Sequence, residues 1–247
     1  MIEMKKITLL GGFILVFASA NAQFGKINSN SIKDKVGEVS KSDAGLSEQE
    51  ITQGLKEALS KGADQAVKTV AVKDGFFKDP LLKIEMPNEA QEAKKYALKV
   101  GMKKQVEDFE ESMNRAAEDA TKSALDILVN AIKQMSVSDA KGILTGGENA
   151  ATKYLLKTCV ASLKGSFTPI VRSSMAKTKV AQYWEPIAKS YNKTAKFTRK
   201  KQVNPDLEAY ITQKAIDGLF IKIADQEKEI RKNPLARTSD LLKKVFE

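Results

Sequence analysis

The sequence predicts an all-α, single-domain helical bundle around one long central helix, about residues 103–136, with one apolar loop at 74–87. Three observations carry this. Val106, Phe109, Met113, Ala116, Ala120, Ala124, Leu128, Ala131 and Met135 recur in steps of three and four, which keeps one side of a helix continuously apolar. Composition agrees: 14 glycines and 6 prolines in 247 residues, 6% aromatics, and abundant Ala, Lys, Glu and Leu favour helix over sheet or disorder. Finally, no alternating run is long enough to build a sheet. At a rise of about 1.5 Å per residue the central helix would span about 50 Å, and its alanine seam lets neighbouring helices approach closely.

In chain order, residues 1–22 have the form of an export signal. Lys5 and Lys6 open it, Ile7–Ala18 is its apolar run, and Ala20-Asn21-Ala22 is a small-x-small cleavage site. Cleavage after Ala22 is expected to leave Gln23 first and to place the protein in the periplasm, with no transmembrane segment after removal of the signal. Residues 23–46, rich in Ser, Lys, Asn and Gly, are expected to form a flexible lead-in to an all-helical domain over 47–247. Ser47-Glu48-Gln49-Glu50 is a capping box that starts a helix through Val70.

Pro80 and Pro87 bracket Leu82, Ile84 and Met86, an alternation that permits a short extended piece within the loop 74–87. That loop either folds back on the core or offers Phe76 and Phe77 as an apolar lip. Asn88 starts a helix ending near Gly101, and the central helix follows. Ser136–Ala140 is a short capped turn, and Gly146-Gly147 precedes a helix over 148–164. Thr168-Pro169 is a cap with proline at the first helical position, opening a further helix over 170–184 that Pro186 interrupts. Asn204-Pro205 gives the same start signal for a helix over 206–232, which Asn233-Pro234 ends, and Thr238 caps a final short helix.

Histidine is absent, which removes the commonest metal ligand and the commonest general base together. His-ligated zinc hydrolases, His-containing diiron bundles and Ser-His-Asp enzymes are excluded, and no metal or other cofactor is expected. Cys159 is the single cysteine, so no intramolecular disulfide forms; it reads as a small buried apolar residue. Ser-x-x-Lys occurs three times without a Lys-Thr-Gly partner, and Gly142–Gly147 lacks the ending of a phosphate loop.

Charge is unevenly distributed. Between Asn149 and Pro205 stand twelve cations against Glu185 alone, so this segment carries +11 where the whole chain carries +10. Lys193, Lys196, Arg199, Lys200 and Lys201 are its densest part, with Trp184 among the interleaved aromatics. Such a face attracts anionic lipid headgroups, polyanionic envelope polymers or an acidic protein surface. It would also suit single-stranded nucleic acid, a partner that export argues against. A solvated lysine face is the plainer alternative.

Arg115, Glu118 and Asp119 lie at helical spacing inside the alanine seam, and Asp139, Asp217, Glu227 and Arg231 adjoin other apolar runs. Charges so close to a core are expected to be paired, as a structural network that fixes helix register. The enzymatic alternative is a histidine-independent hydrolase or lyase, in which Glu118 and Asp139 act as acid and base while Arg115 or Arg231 orients an anionic group.

Several motifs together resemble one bacterial family of exported proteins. They are Asp74-Gly75-Phe76, Asn114-Arg115-Ala116-Ala117-Glu118, Met135 with Asp139-Ala140, Ala150-Ala151-Thr152 with Tyr154, Asp206–Tyr210, Asp217-Gly218-Leu219-Phe220, and Ile230-Arg231-x-Asn233-Pro234. The family is domain-of-unknown-function family 4197, and the likeness runs from about Leu46 to Phe246; Gln226 departs from an acid that often accompanies Glu227 there. The resemblance implies an all-helical exported domain and no particular activity. The sequence thus favours a non-enzymatic binding or scaffold module with a basic face.

Overall fold

The computed structural model describes residues 47–232. The expected signal, the lead-in up to residue 46, the Asn233-Pro234 stop and the helix capped by Thr238 lie outside the described residues. Among the described residues there are eight α-helices and one 3₁₀ turn, and no strand. They are α1 Glu48–Val70, a turn at Asn88–Ala90, α2 Gln91–Lys99, α3 Lys103–Thr121, α4 Ala124–Gln134, α5 Val137–Thr145, α6 Ala150–Lys177, α7 Val180–Thr198 and α8 Leu207–Lys232. The fold is all-α.

Local chemistry accounts for several boundaries. Ser47 Oγ accepts from the Glu50 N–H while the Glu50 carboxylate returns to Ser47 N–H, a reciprocal cap on α1. Ser136 and Asp139 make the same box at α5. Gly101, at φ +84°, turns the chain between α2 and α3 in a conformation that costs glycine nothing.

The central helix is broken. Thr121 Oγ donates to Glu118 O and Ser123 Oγ to Ala120 O, while Lys122 and Ser123 N–H reach back only three residues. Hydroxyls that compete for helix carbonyls, with tightening to 3₁₀ spacing, end α3 and restart the chain as α4. The apolar seam survives the break: Ala116, Ala120, Ala124 and Leu128 are all fully buried. α3 is the centre of the bundle, packed against α1, α2, α6, α7 and α8.

Two expected interruptions do not occur. Pro169 lies inside α6 and Pro186 inside α7. Both prolines are exposed, as is Gly165, the residue whose carbonyl loses its helix partner to Pro169. Leu163, Phe167 and Val171 stay buried through the first site, as do Trp184, Ile187 and Tyr191 through the second. Packing of one apolar face therefore outweighs the local cost of each proline. The actual break between α6 and α7 is at Thr178-Lys179, with Lys179 at φ +58°.

Candidate functional site

The loop between α1 and α2 is folded onto the core, and a row of polar side chains from α3 holds its main chain. Leu82, Ile84 and Met86 are buried and Lys83 and Glu85 exposed, so the alternation seen in the sequence is real. No neighbouring strand pairs with it. Instead Glu118 Oε1 accepts from Phe76 N–H at 3.1 Å and Phe77 N–H at 3.3 Å. Asn114 accepts from Ile84 N–H at 2.8 Å and donates to Ile84 O at 2.9 Å, copying a strand's two bonds with one amide group. Glu110 accepts from Met86 N–H at 3.4 Å and Lys94 Nζ at 2.6 Å. Residues 110, 114 and 118 are one helical turn apart, which is the spacing that puts them in a single row.

Arg115 ties this row to the loop's entrance. Its guanidinium reaches Glu118 at 2.8 Å, Asp74 at 2.6 Å and Glu111 at 2.9 Å, and lies over the Phe77 ring at 5.4 Å. Burial works against the charged guanidinium, but hydrogen bonds to Glu118, Asp74 and Glu111 outweigh it and raise the pKa of Arg115. Asp74 is lowered to about 2, first by its hydrogen bond from Lys78 and then by that from Arg115. Asp74 sits at φ +71°, and a Cβ on Gly75 would approach the Thr69 and Val70 carbonyls to 2.7 Å. Phe76 then enters the core against Gly218 of α8, where a Cβ would lie 2.4 Å from the ring. The Asp-Gly-Phe and Asp-Gly-Leu-Phe motifs are thus the two halves of one contact.

A second buried carboxylate caps α6. Asn149, in the left-handed region at φ +66°, makes no side-chain cap. Glu227 from α8 takes that place, accepting from Ala151 N–H at 3.0 Å, Thr152 N–H at 2.8 Å and Thr152 Oγ at 2.7 Å. A negative charge there also complements the positive end of the helix. Arg231 pairs with it at 2.8 Å and donates to Ile143 O at 2.9 Å, joining α8, α6 and α5. Burial alone would raise the Glu227 pKa; the Thr152 hydroxyl and the two amides together hold it below its ordinary value.

The charged residues expected to form one network therefore separate. Arg115 with Glu118 and Glu227 with Arg231 are distinct clusters. Asp119 pairs with Lys122 and accepts from Ser174 at 2.6 Å, Asp139 is engaged in the α5 cap, and exposed Asp217 accepts from Gln213. Glu118 and Asp139 share no partner, so the acid–base pair of the enzymatic alternative has no counterpart in the hydrogen bonding. Both oxygens of Glu118 are occupied by structural donors. Among the described residues no group of three or more Asp, Glu, Cys or His side chains is placed to hold a metal. Cys159 is buried, which raises its thiol pKa.

The expected binding residues also divide. Phe76 is in the core, Phe77 is half-buried between Lys83 and Arg115, and Trp184 is buried against Phe109 at 5.2 Å between ring centres. None of these forms an accessible lip or aromatic platform. Lys193, Lys196, Arg199, Lys200 and Lys201 are exposed at the end of α7. The aromatic beside them in the open is Phe197, 80% exposed. A groove of about 610 Å³ lies alongside, lined by Lys201, Tyr191 and Tyr210 together with the acids Glu89, Glu92 and Asp206.

The family model for DUF4197, described as a protein of unknown function, matches residues 45–247. The chain belongs to this family. The matched span includes the whole α3 row, the Phe76–Gly218 contact and the Glu227 cap. No curated protein and no solved structure matches the chain.

Proposed function

We propose that this DUF4197 protein is a non-enzymatic binding module of the bacterial envelope, exported by its first 22 residues, and that its cationic α6–α7 surface engages an anionic partner. One observation carries the reading. Of the twelve cations between Asn149 and Pro205, only Arg172, with Glu208, and Lys200, with Glu92, meet a carboxylate among the described residues. The other ten are exposed and make no ion pair among the described residues, although Lys157 and Lys177 lie within the electrostatic reach of Asp139 and Asp119. Elsewhere ion pairs are more frequent: Lys61, Lys68, Lys78 and Lys104 each pair with an acid four residues away, although Lys73, Lys99 and Lys133 are exposed without such a pair among the described residues. A stretch in which cations so outnumber acids creates a positive field that steers anions to one side of the molecule.

The buried carboxylates support the same reading from the other direction, because their hydrogen-bonding capacity is used in holding a loop and a helix end. The test is charge reversal of Lys193, Lys196, Arg199, Lys200 and Lys201 to Glu in the exported chain. Retention on anionic envelope membranes or polymers at low salt is expected to be lost, and wild-type retention is expected to fall as salt is raised. Unchanged retention of the reversed variant would remove the reading.

A further inference from the structure

Phe197 is the most exposed large apolar side chain among the described residues, and it stands in the densest cationic stretch of the chain. Its place follows from helix geometry. Tyr191 and Ala195 turn inward and are buried, which leaves Lys193, Lys196 and Phe197 on the outer side of the last two turns. Lys193 is one turn before Phe197 on the same side. The helix then closes with Arg199 at φ +56°, and Lys200 N–H bonds Ala195 O at 2.9 Å. Lys200 and Lys201 follow at once. An aromatic ring is thus surrounded in sequence by five cations at a helix end, with Glu92, which pairs with Lys200 at 3.4 Å, the one carboxylate engaged there among the described residues.

We infer that this end of α7 is a membrane-contact tip. The five cations meet anionic phospholipid headgroups while Phe197 enters the interfacial layer of the bilayer. This rests on the anionic-partner reading and adds the identity of the partner. A soluble polyanion would use the cations and have no use for the ring. A bilayer uses both, since each cation near an anionic surface and each buried aromatic adds to the attraction. The contact is peripheral: no described helix is long and apolar enough to cross a membrane.

The experiment compares the exported chain from Gln23, wild type and variants, on three probes: vesicles of phosphatidylglycerol with phosphatidylcholine, vesicles of phosphatidylcholine alone, and soluble polyphosphate. Wild type is expected to bind the anionic vesicles and to bind neutral ones far more weakly. Phe197→Ser is expected to weaken anionic-vesicle binding by about tenfold or more, the share of a buried phenyl ring, with polyphosphate binding changed less than about twofold. Phe197→Trp should restore vesicle binding. Because the side chain is exposed, both variants should keep the wild-type helical circular dichroism. The five-site reversal should abolish binding to both anionic probes.

Wild-type vesicle affinity in Phe197→Ser would overturn the insertion while leaving the charge reading intact, provided the reversal still abolishes binding. Binding to polyphosphate without binding to anionic vesicles would overturn the lipid partner alone. An unaffected five-site reversal would overturn both.

Discussion

Glu118 has two separable jobs, and replacing it in two ways measures them. Its Oε1 accepts from Phe76 and Phe77 N–H, and its Oε2 pairs with Arg115. In Glu118→Gln the carbonyl oxygen can keep the two amides, but the NH₂ group then faces the guanidinium. Stripping a buried charge of its partner costs about 3–5 kcal/mol. Arg115 retains Asp74 and Glu111 here, so we expect about 2 kcal/mol. In Glu118→Ala the two loop amides also lose their acceptor, at about 1–3 kcal/mol each, with half-buried Phe77 at the low end. The total should be about 4–5 kcal/mol. Urea unfolding at pH 7, followed by far-ultraviolet circular dichroism, resolves a gap of about 2 kcal/mol between the variants. Equal losses in the two variants, or losses of less than about 0.5 kcal/mol in both, would refute the loop-clamp assignment.

Three further outcomes follow from the same geometry. Gly218→Ala places a methyl group 2.4 Å from the Phe76 ring, so it should destabilise by about 2–3 kcal/mol, and Phe76→Leu should recover part of that loss in the double variant. Arg199→Gly relieves a left-handed backbone position and should raise the urea midpoint by about 0.5–1 kcal/mol equivalent while weakening anionic-vesicle binding. Acid should destabilise the domain. Asp74 and Glu227 titrate below their ordinary values of 3.8 and 4.5, so their contributions are complete above those values and decline as pH falls below them. The Asp74 share disappears as pH passes about 2, and Asp74→Asn should flatten that part of a pH–stability profile. A profile of unchanged shape would contradict the Asp74–Arg115–Lys78 arrangement.

Helix positions were legible where local chemistry and burial agree. Ser47 with Glu50 starts α1 as its spacing indicates, and Asn204-Pro205 precedes α8 by two residues. The alternation at Leu82, Ile84 and Met86 correctly indicates which side chains are buried, yet it cannot reveal that α3 side chains replace the missing strand. A signal for that was present: Glu110, Asn114 and Glu118 repeat every four residues beside Phe109 and Met113, a polar row on a face that should be buried. The prolines misled because their local cost is decided by which way they face. Pro169 and Pro186 point to solvent, so the buried side of each helix continues past them. The converse holds at Thr121 and Ser123, two ordinary helix residues whose hydroxyls turn back onto the helix carbonyls and break it.

The sequence marked Glu118 and Glu227 as charges beside the core, but not their partners. Glu227 acts on the main chain of residues 151 and 152, far away in sequence, and only the folded topology brings them together. Trp184 shows the opposite difficulty. Its neighbours in sequence are polar, but its position on the helix turns it inward against Phe109. Phe197, thirteen residues later, is the aromatic that faces out.

The most direct measurement of the central claim sets two variants of the chain from Gln23 against each other on anionic vesicles, with unfolding free energy measured in parallel. Glu118→Gln should lose stability and, while folded, bind as wild type does. The five-site reversal at Lys193, Lys196, Arg199, Lys200 and Lys201 should retain the stability of the fold and lose binding. A folded Glu118→Gln protein that no longer binds, or a charge-reversed protein that still does, would contradict the assignment of the buried carboxylate to architecture and of the α7 end to recognition.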